Sequence, residues 1–489
     1  MFNRLLPAVC WLPLATTAPL AAAEKGVPDV VRFNRDVRPI LASNCYNCHG
    51  QDEKVRKGHL RLDTREGALN RKKRDPVIVP GKPEASELFL RVSSTEPTER
   101  MPPVKKGKAL SARDVAVLKK WIEQGAKWEE HWSFVAPKKP ALPPIRDPSW
   151  GHNEIDTFVL ARLEAEGLKP APEADRRALA RRVAIDLTGL PPTVTEADRF
   201  VNDKSPEAYE RYVDRLLQSP GFGERWAQVW LDLARYADSK GYTDDGPRTI
   251  WRYRDWVVRA LNANMPFDQF TIEQIAGDLL PKPTEDQILA TAFHRNTLTN
   301  DEGGTNDEEF RVAAVVDRVN TTFQVWMGVT MACAQCHDHK YDPLTQEEYF
   351  KVFAILNNTE DADRNDETPT METWAPGRKE KFVAQQSQIA EVEKQLKGLA
   401  KNPPEQKKAQ ERLAVLKRDL AAVQPVRTPI MRELQGGQRR KTHIFFRGNF
   451  LDKGKEVAEG VPATFHPLPP GQPVNRLTLA RWLVDPKNP

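Results

Sequence analysis

A chain of 489 residues exceeds what one small core can organise, so several domains are expected. With 29% charged residues, a mean hydropathy of −0.60 and no apolar run after residue 23 approaching the ~20 residues of a spanning helix, an integral membrane bundle is excluded. The 73 basic and 68 acidic residues are interspersed and leave a net charge of only +5, which gives no reason to expect a nucleic-acid partner.

Residues 1–23 carry Arg4, then an apolar run from Leu5 to Leu20 broken by Pro7, Pro13 and Pro19, then Ala21-Ala22-Ala23. This is the pattern of a cleavable secretory signal. The mature chain is therefore expected to be periplasmic or otherwise exported, without Cys10 and without a membrane span.

Residues 31–132 fit one small helical domain. Asn34 is placed to cap a helix that runs toward Ser43 and delivers Cys45-Tyr46-Asn47-Cys48-His49 at its end. At the far end Ser111-Ala112-Arg113-Asp114 opens a helix with Val115, Leu118, Trp121 and Ile122 on one face and Gly125 as its stop. Two thiols three apart, followed at once by an imidazole, share one face of a helical turn. Both sulfurs can then bond the vinyl groups of one porphyrin while the imidazole meets the iron. The motif thus reads as covalent attachment of haem c through Cys45 and Cys48, with His49 as proximal ligand.

Met101 is the only methionine between that motif and the end of the domain, and Pro102-Pro103 holds it on an extended loop. It is the expected sixth ligand; His59 is the rival, and ordinary packing of Met101 is the alternative. Lys105, Lys106 and Lys108 either steer an acidic redox partner or form a solvated loop. Residues 133–150, with Pro137, Pro140, Pro143, Pro144 and Pro148, make a stiff linker.

Residues 151–360 read as a larger helical domain. Ile155, Phe158, Val159 and Leu163 form one apolar face, and Gly189-Leu190-Pro191-Pro192 stops the next helix. Further helices are expected over 206–217, 222–236, 251–262, 284–293 and 307–326. The last of these leads into a second motif, Cys333-Ala334-Gln335-Cys336-His337, which reads as a second covalent haem c on Cys333 and Cys336 with His337 on the iron. Its sixth ligand is expected to be His294. His339 lies too near His337 to reach the other face, Met327 and Met331 read better as core, and an open sixth position is the remaining alternative. The aromatics Trp226, Trp230, Tyr236, Tyr242, Trp251, Tyr253 and Trp256 read as core, a haem-pocket lining or a sugar-stacking platform. Two polar loops, 238–246 and 300–309, gather carboxylates and glycines, either as solvated turns or for a hard cation or acid–base work.

In residues 376–425, Ile389, Val392, Leu396 and Leu399 step by three, four and three; Leu413, Leu416, Leu420 and Val423 repeat the step after Asn402-Pro403-Pro404. An antiparallel helical hairpin with coiled-coil packing follows. Residues 428–489 contain a short strand near 442–448 and the opening of a helix at Asn475, expected to start a further, truncated domain. The fold class is mainly α: a small cytochrome c-like helical domain, a larger helical second-haem domain, the hairpin and the truncated segment.

Two other chemistries fit the thiols: a zinc site built from both Cys pairs, or a disulfide within each pair. The His after each pair, the long gap between the pairs and the export signal favour haem. Phe33 to Leu41, Arg100-Met101-Pro102-Pro103, Ile185 to Pro192, Asn300 to Thr305 and Cys333 to Pro343 together make the chain resemble the multidomain planctomycete cytochrome c-type proteins. In these an amino-terminal cytochrome c domain precedes domains of uncharacterised function. The resemblance implies haem binding and electron transfer, with no substrate established, and a long carboxy-terminal domain beyond Pro489. The expected function is that of an exported dihaem c-type cytochrome working with a redox partner protein or respiratory acceptor. The alternatives are a haem-dependent peroxidase or oxidase acting on an extracellular substrate such as carbohydrate, and a non-redox zinc-stabilised scaffold.

Overall fold

The computed structural model describes residues 26–53, 55–69, 76–130, 134–362, 364–398 and 403–488. The secretory-signal reading of residues 1–23 lies outside them. The fold is mainly α, about 51% helical with two small antiparallel two-stranded sheets. The chain divides into two units, residues 1–132 and 133–489.

In the first unit a π-turn, Phe33–Val37, runs into α1 (Arg38–Asn44) and α2 (Tyr46–His49), followed by α3 (Arg65–Leu69), α4 (Glu87–Ser93) and α5 (Ala112–Glu123). Asn34 is not a cap: its backbone N–H donates to Glu129 Oε2 at 3.0 Å and its amide donates to the Glu130 carbonyl, which ties the start of the unit to its end. Ser111 does cap α5, its Oγ accepting from the Asp114 N–H at 3.1 Å. The helix closes in a Schellman motif, with Gly125 at φ 92° and the Ala126 and Gly125 N–H groups donating to the carbonyls of Trp121 and Ile122. Its buried face is Val117, Leu118, Trp121 and Ile122; Val115, in the first turn, is only half-buried. Phe33 stacks on Trp128 and touches Trp121, so both ends of the unit share one core. Ser111→Ala is expected to cost about 1 kcal/mol, read as a lower urea midpoint with unchanged slope.

The second unit begins with α6 (Glu154–Ala165), α7 (Arg176–Thr188), α8 (Val194–Asn202), α9 (Ala208–Leu217), α10 (Pro220–Leu233), α11 (Trp251–Asn262), α12 (Phe267–Ala276), α13 (Glu285–Ala290), α14 (Asp307–Thr322) and α15 (Gln346–Leu356). Side chains of Asn153, Thr193, Thr284 and Thr345 cap four of these in full capping boxes, and Gly189, left-handed at φ 73°, ends α7. The apolar face read on α6 exists but is not covered: Ile155, Phe158 and Val159 are 73%, 40% and 45% exposed.

β1 (Thr370–Thr373) pairs antiparallel with β2 (Val426–Pro429), Thr370 opposite Pro429 and Thr373 opposite Val426. The helical hairpin of α16 (Arg378–Gly398) and α17 (Pro403–Ala421) is an excursion from this ribbon. The two helices pack together with Ile389 and Val392 buried and Leu396, Leu413, Leu416 and Leu420 half-buried, and a Lys417–Glu393 ion pair of 2.8 Å joins them. β3 (Thr442–Phe445) pairs with β4 (Lys453–Val457), and α18 (Arg476–Leu483) follows.

α18 packs into the core of the second unit, where Leu479, Ala480 and Trp482 join Phe323, Phe350, Phe353 and Phe445. Most of the aromatic group also serves as core. Trp230, Tyr253, Trp256, Phe270, Phe293 and Trp326 form one cluster, with the Trp230 indole N–H donating to Gln274 Oε1 at 2.7 Å; Trp226 and Tyr242 stay exposed. No helix of the described residues is long and apolar enough to cross a membrane.

Candidate functional site

The first motif spans the joint between α1 and α2. The N–H groups of Cys48 and His49 both donate to the Cys45 carbonyl, at 3.0 and 2.8 Å, which closes the turn that sets two thiols and an imidazole side by side. The following segment straps the turn down: the Lys57 and Leu62 N–H groups donate to the carbonyls of Cys48 and His49, each at 2.8 Å. His49 Nδ1 faces the Lys57 carbonyl at 3.2 Å. A carbonyl only accepts, so Nδ1 carries the proton and Nε2 is the nitrogen that would meet a metal. Cys45 is buried in the core and Cys48 half-buried; burial, helped by Cys48, pushes the Cys45 thiol up to about 12, which keeps it a protonated thiol rather than a thiolate.

Met101 lies on a separate loop hung from α4. Its N–H donates to the Arg91 carbonyl at 2.9 Å, and the Arg100 guanidinium closes the loop on the Gly107 carbonyl at 3.0 Å. The side chain of Met101 is half-buried, whereas His59, its rival, is exposed. Lys105, Lys106 and Lys108 are exposed on the same loop.

The second motif occupies a 3-10 turn, Ala332–Gln335, that follows the π-turn Phe323–Met327. Cys333, Cys336 and His337 are exposed, and all four cysteines of the two motifs are free thiols. His337 Nδ1 faces the Asp338 carbonyl at 2.7 Å, the same arrangement as in the first motif, so Nε2 is again the nitrogen that would meet a metal. The residues after the motif hold it in place. Asp338 Oδ1 accepts from the Gln346 N–H at 2.9 Å at the start of α15, and His339 Nδ1 accepts from the N–H groups of Asp342 and Tyr341 at 2.8 and 3.3 Å. His339 is thus a fastener of its own turn; burial lowers its pKa against the pull of Asp342. Met331 is fully buried, and Met327 Sδ accepts from Asn488 Nδ2 at 3.2 Å, in keeping with their reading as core.

Haem fits both places by the chemistry of the donors: paired free thiols beside an imidazole whose far nitrogen is fixed by a carbonyl. One more feature points the same way at the second motif. The Tyr349 hydroxyl is fully buried without a hydrogen-bond partner among the described residues, and it lies within electrostatic range of Cys336. A buried phenol left unpaired costs about 1–3 kcal/mol.

His294 sits in the 3-10 turn Thr291–Arg295 with its ring wholly enclosed, edge-on to Phe293. Neither ring nitrogen has a hydrogen-bond partner among the described residues. Burial first, then Arg318, Arg476 and Arg235, hold its pKa well below the usual value, so the ring is a neutral imidazole. The charged groups around it, those three arginines and Asp361, are not part of the second motif.

The two polar loops, separate in sequence, are joined in the fold: the Thr299 N–H donates to the Lys240 carbonyl at 3.0 Å and Lys240 pairs with Asp301 at 2.6 Å. No group of three or more His, Cys, Asp or Glu side chains is gathered to hold a metal ion among the described residues.

A family model described as planctomycete cytochrome C matches residues 45–105, from Cys45 through the Met101 loop. A second, described as a protein of unknown function (DUF1549), matches residues 154–361, which include the Cys333–His337 turn. No curated protein and no solved structure matches the chain. A planctomycete cytochrome C domain followed by this second domain is the layout of the multidomain planctomycete cytochrome c-type proteins, and the chain, a cytochrome c-like haem protein, belongs to them.

Proposed function

We propose that the protein is an exported dihaem c-type cytochrome that relays electrons to a redox partner protein or respiratory acceptor. The observation that carries the second haem is the Cys333–His337 turn, which repeats the first motif's free thiols and its carbonyl-held imidazole on a different scaffold. Cys45 and Cys48 would hold one haem, and Cys333 and Cys336 the other, through thioether bonds to its vinyl groups. Bound haem supplies a one-electron iron couple. The chain's own part is to fix the rings of His49 and His337 at Nδ1 through the Lys57 and Asp338 carbonyls, so that Nε2 is the nitrogen that would meet iron, and to bury one attachment site while leaving the other open.

Met101 would hold the first haem's iron together with His49, supported by a loop anchored at both Arg91 and Gly107. Met101→Ala is expected to abolish the sulfur-to-iron charge-transfer band and lower the potential of that haem; survival of the band would remove the assignment. For the second haem the proposed partner is His294. A neutral imidazole with two unpartnered nitrogens suits iron, while its complete enclosure opposes it. A low-spin spectrum unchanged in His294→Ala decides against it.

The exposure of Cys333, Cys336 and His337 favours one second reading, an open haem that reacts with peroxide or oxygen and oxidises an extracellular substrate such as carbohydrate. A high-spin ferric component that shifts on adding peroxide supports this enzyme. Two low-spin six-coordinate haems exclude it.

A further inference from the structure

The loop between β3 and β4 is seated on the second motif. Gln346 Nε2 donates to the carbonyls of both Gln335 and Phe445, at 2.9 and 3.3 Å, so one side chain ties the Cys-bearing turn to the end of β3. The next turn, Phe446–Gly448, has Arg447 and Gly448 both at positive φ, 52° and 75°. A Cβ at position 448 would stand 3.1 Å from Cys336 Sγ and 3.2 Å from Gln335 Nε2. Both distances are shorter than the roughly 3.5–4.0 Å of a relaxed contact. Phe446, a large apolar side chain, is nevertheless 49% exposed beside this contact. Its ring lies over β4, where a Cβ at Gly454 would stand 3.0 Å from it.

We propose that the Phe446–Gly448 turn is the outer wall of the second haem site, with Gly448 giving the clearance that a thioether at Cys336 requires and Phe446 shielding the porphyrin from water. A free thiol can rotate its hydrogen away from a neighbour. A sulfur bonded to a porphyrin carbon cannot swing aside, so the missing Cβ matters most in the haem-loaded chain. This inference rests on the dihaem reading, and the test separates the two.

The full chain, made in a cytochrome-maturing host, is compared as wild type, Gly448→Ala and Gly471→Ala. Gly471 has φ 76° with nothing within 4 Å of its ideal Cβ, so its substitution carries the same backbone strain without a neighbour. Haem is read by mass on the proteolytic peptides bearing residues 45–49 and 333–337. Gly448→Ala is expected to lose most of the haem on the second peptide and none on the first, while Gly471→Ala keeps both. Full occupancy in Gly448→Ala, or equal loss in Gly471→Ala, overturns the proposal. Phe446→Ala, a change at an exposed position, reads the wall without backbone strain: the second haem's midpoint potential is expected to fall as water gains access, and an unchanged potential contradicts the shield. Wild-type protein with no haem on the second peptide refutes the dihaem reading, and this inference with it.

Discussion

Arg476→Met is expected to destabilise the second unit by about 3–5 kcal/mol, the cost of breaking a buried ion pair from one side. The guanidinium is wholly enclosed, pairs with Asp278 at 2.6 Å and with Glu433 at 2.9 Å, and donates to the Ile275 carbonyl at 2.9 Å. Burial opposes its charge, but the two carboxylates outweigh burial and keep it protonated. Without it, Asp278 loses its pairing with Arg476 in a dry setting and Glu433 keeps its pairing with Arg439, at 3.2 Å. Burial already raises the Glu433 carboxyl above its usual range. Equilibrium urea unfolding followed by tryptophan fluorescence reads the loss. Adding Asp278→Asn and Glu433→Gln to the same chain should recover much of it, because the isolated charges, not the lost bond, carry most of the cost. An unchanged midpoint in Arg476→Met would show that α18 is not fastened to α12 as described.

Cys333→Ser with Cys336→Ser is expected to halve the haem content, from two to one per chain, with the first haem's spectrum intact. Both thiols are exposed, so the substitutions themselves leave the fold's stability nearly unchanged. The mirrored change, Cys45→Ser with Cys48→Ser, should also leave one haem but destabilise the first unit. There Cys45 is part of the core, and a serine hydroxyl would be buried among Val37, Leu41 and Tyr46. Haem quantified per chain together with urea midpoints separates the two sites. A haem content unchanged by the Cys333/Cys336 pair would mean that this turn holds no haem.

Local chemistry was readable from the sequence. Ser111 and Asn475 cap where their positions predict, Gly125 and Gly189 stop where φ must turn positive, and both C-x-x-C-H turns form. What failed to read was long-range. Asn34 has a capping residue's identity but spends its hydrogen bonds on Glu129 and Glu130, almost a hundred positions away. The α6 stripe has a buried helix's period, yet period alone does not supply a partner surface. The opening of α18 is legible at Asn475, but nothing near it in sequence announces that Arg476 pairs with Asp278 and Glu433. The candidate site shows the same division: the C-x-x-C-H residues stand together in the sequence, whereas the hydrogen bonds of Asp338 and His339 and the close approach of Gly448 to Cys336 depend on how Gln346, Leu344 and β3 fold back on them.

The most direct test is the intact mass and the oxidised and reduced absorption spectra of the protein purified from a cytochrome-maturing host. A dihaem cytochrome is expected to be a red protein whose mass exceeds that of the polypeptide by two covalently bound haems. A mass carrying a single haem contradicts the second centre, and a colourless protein at the polypeptide mass contradicts haem at either turn.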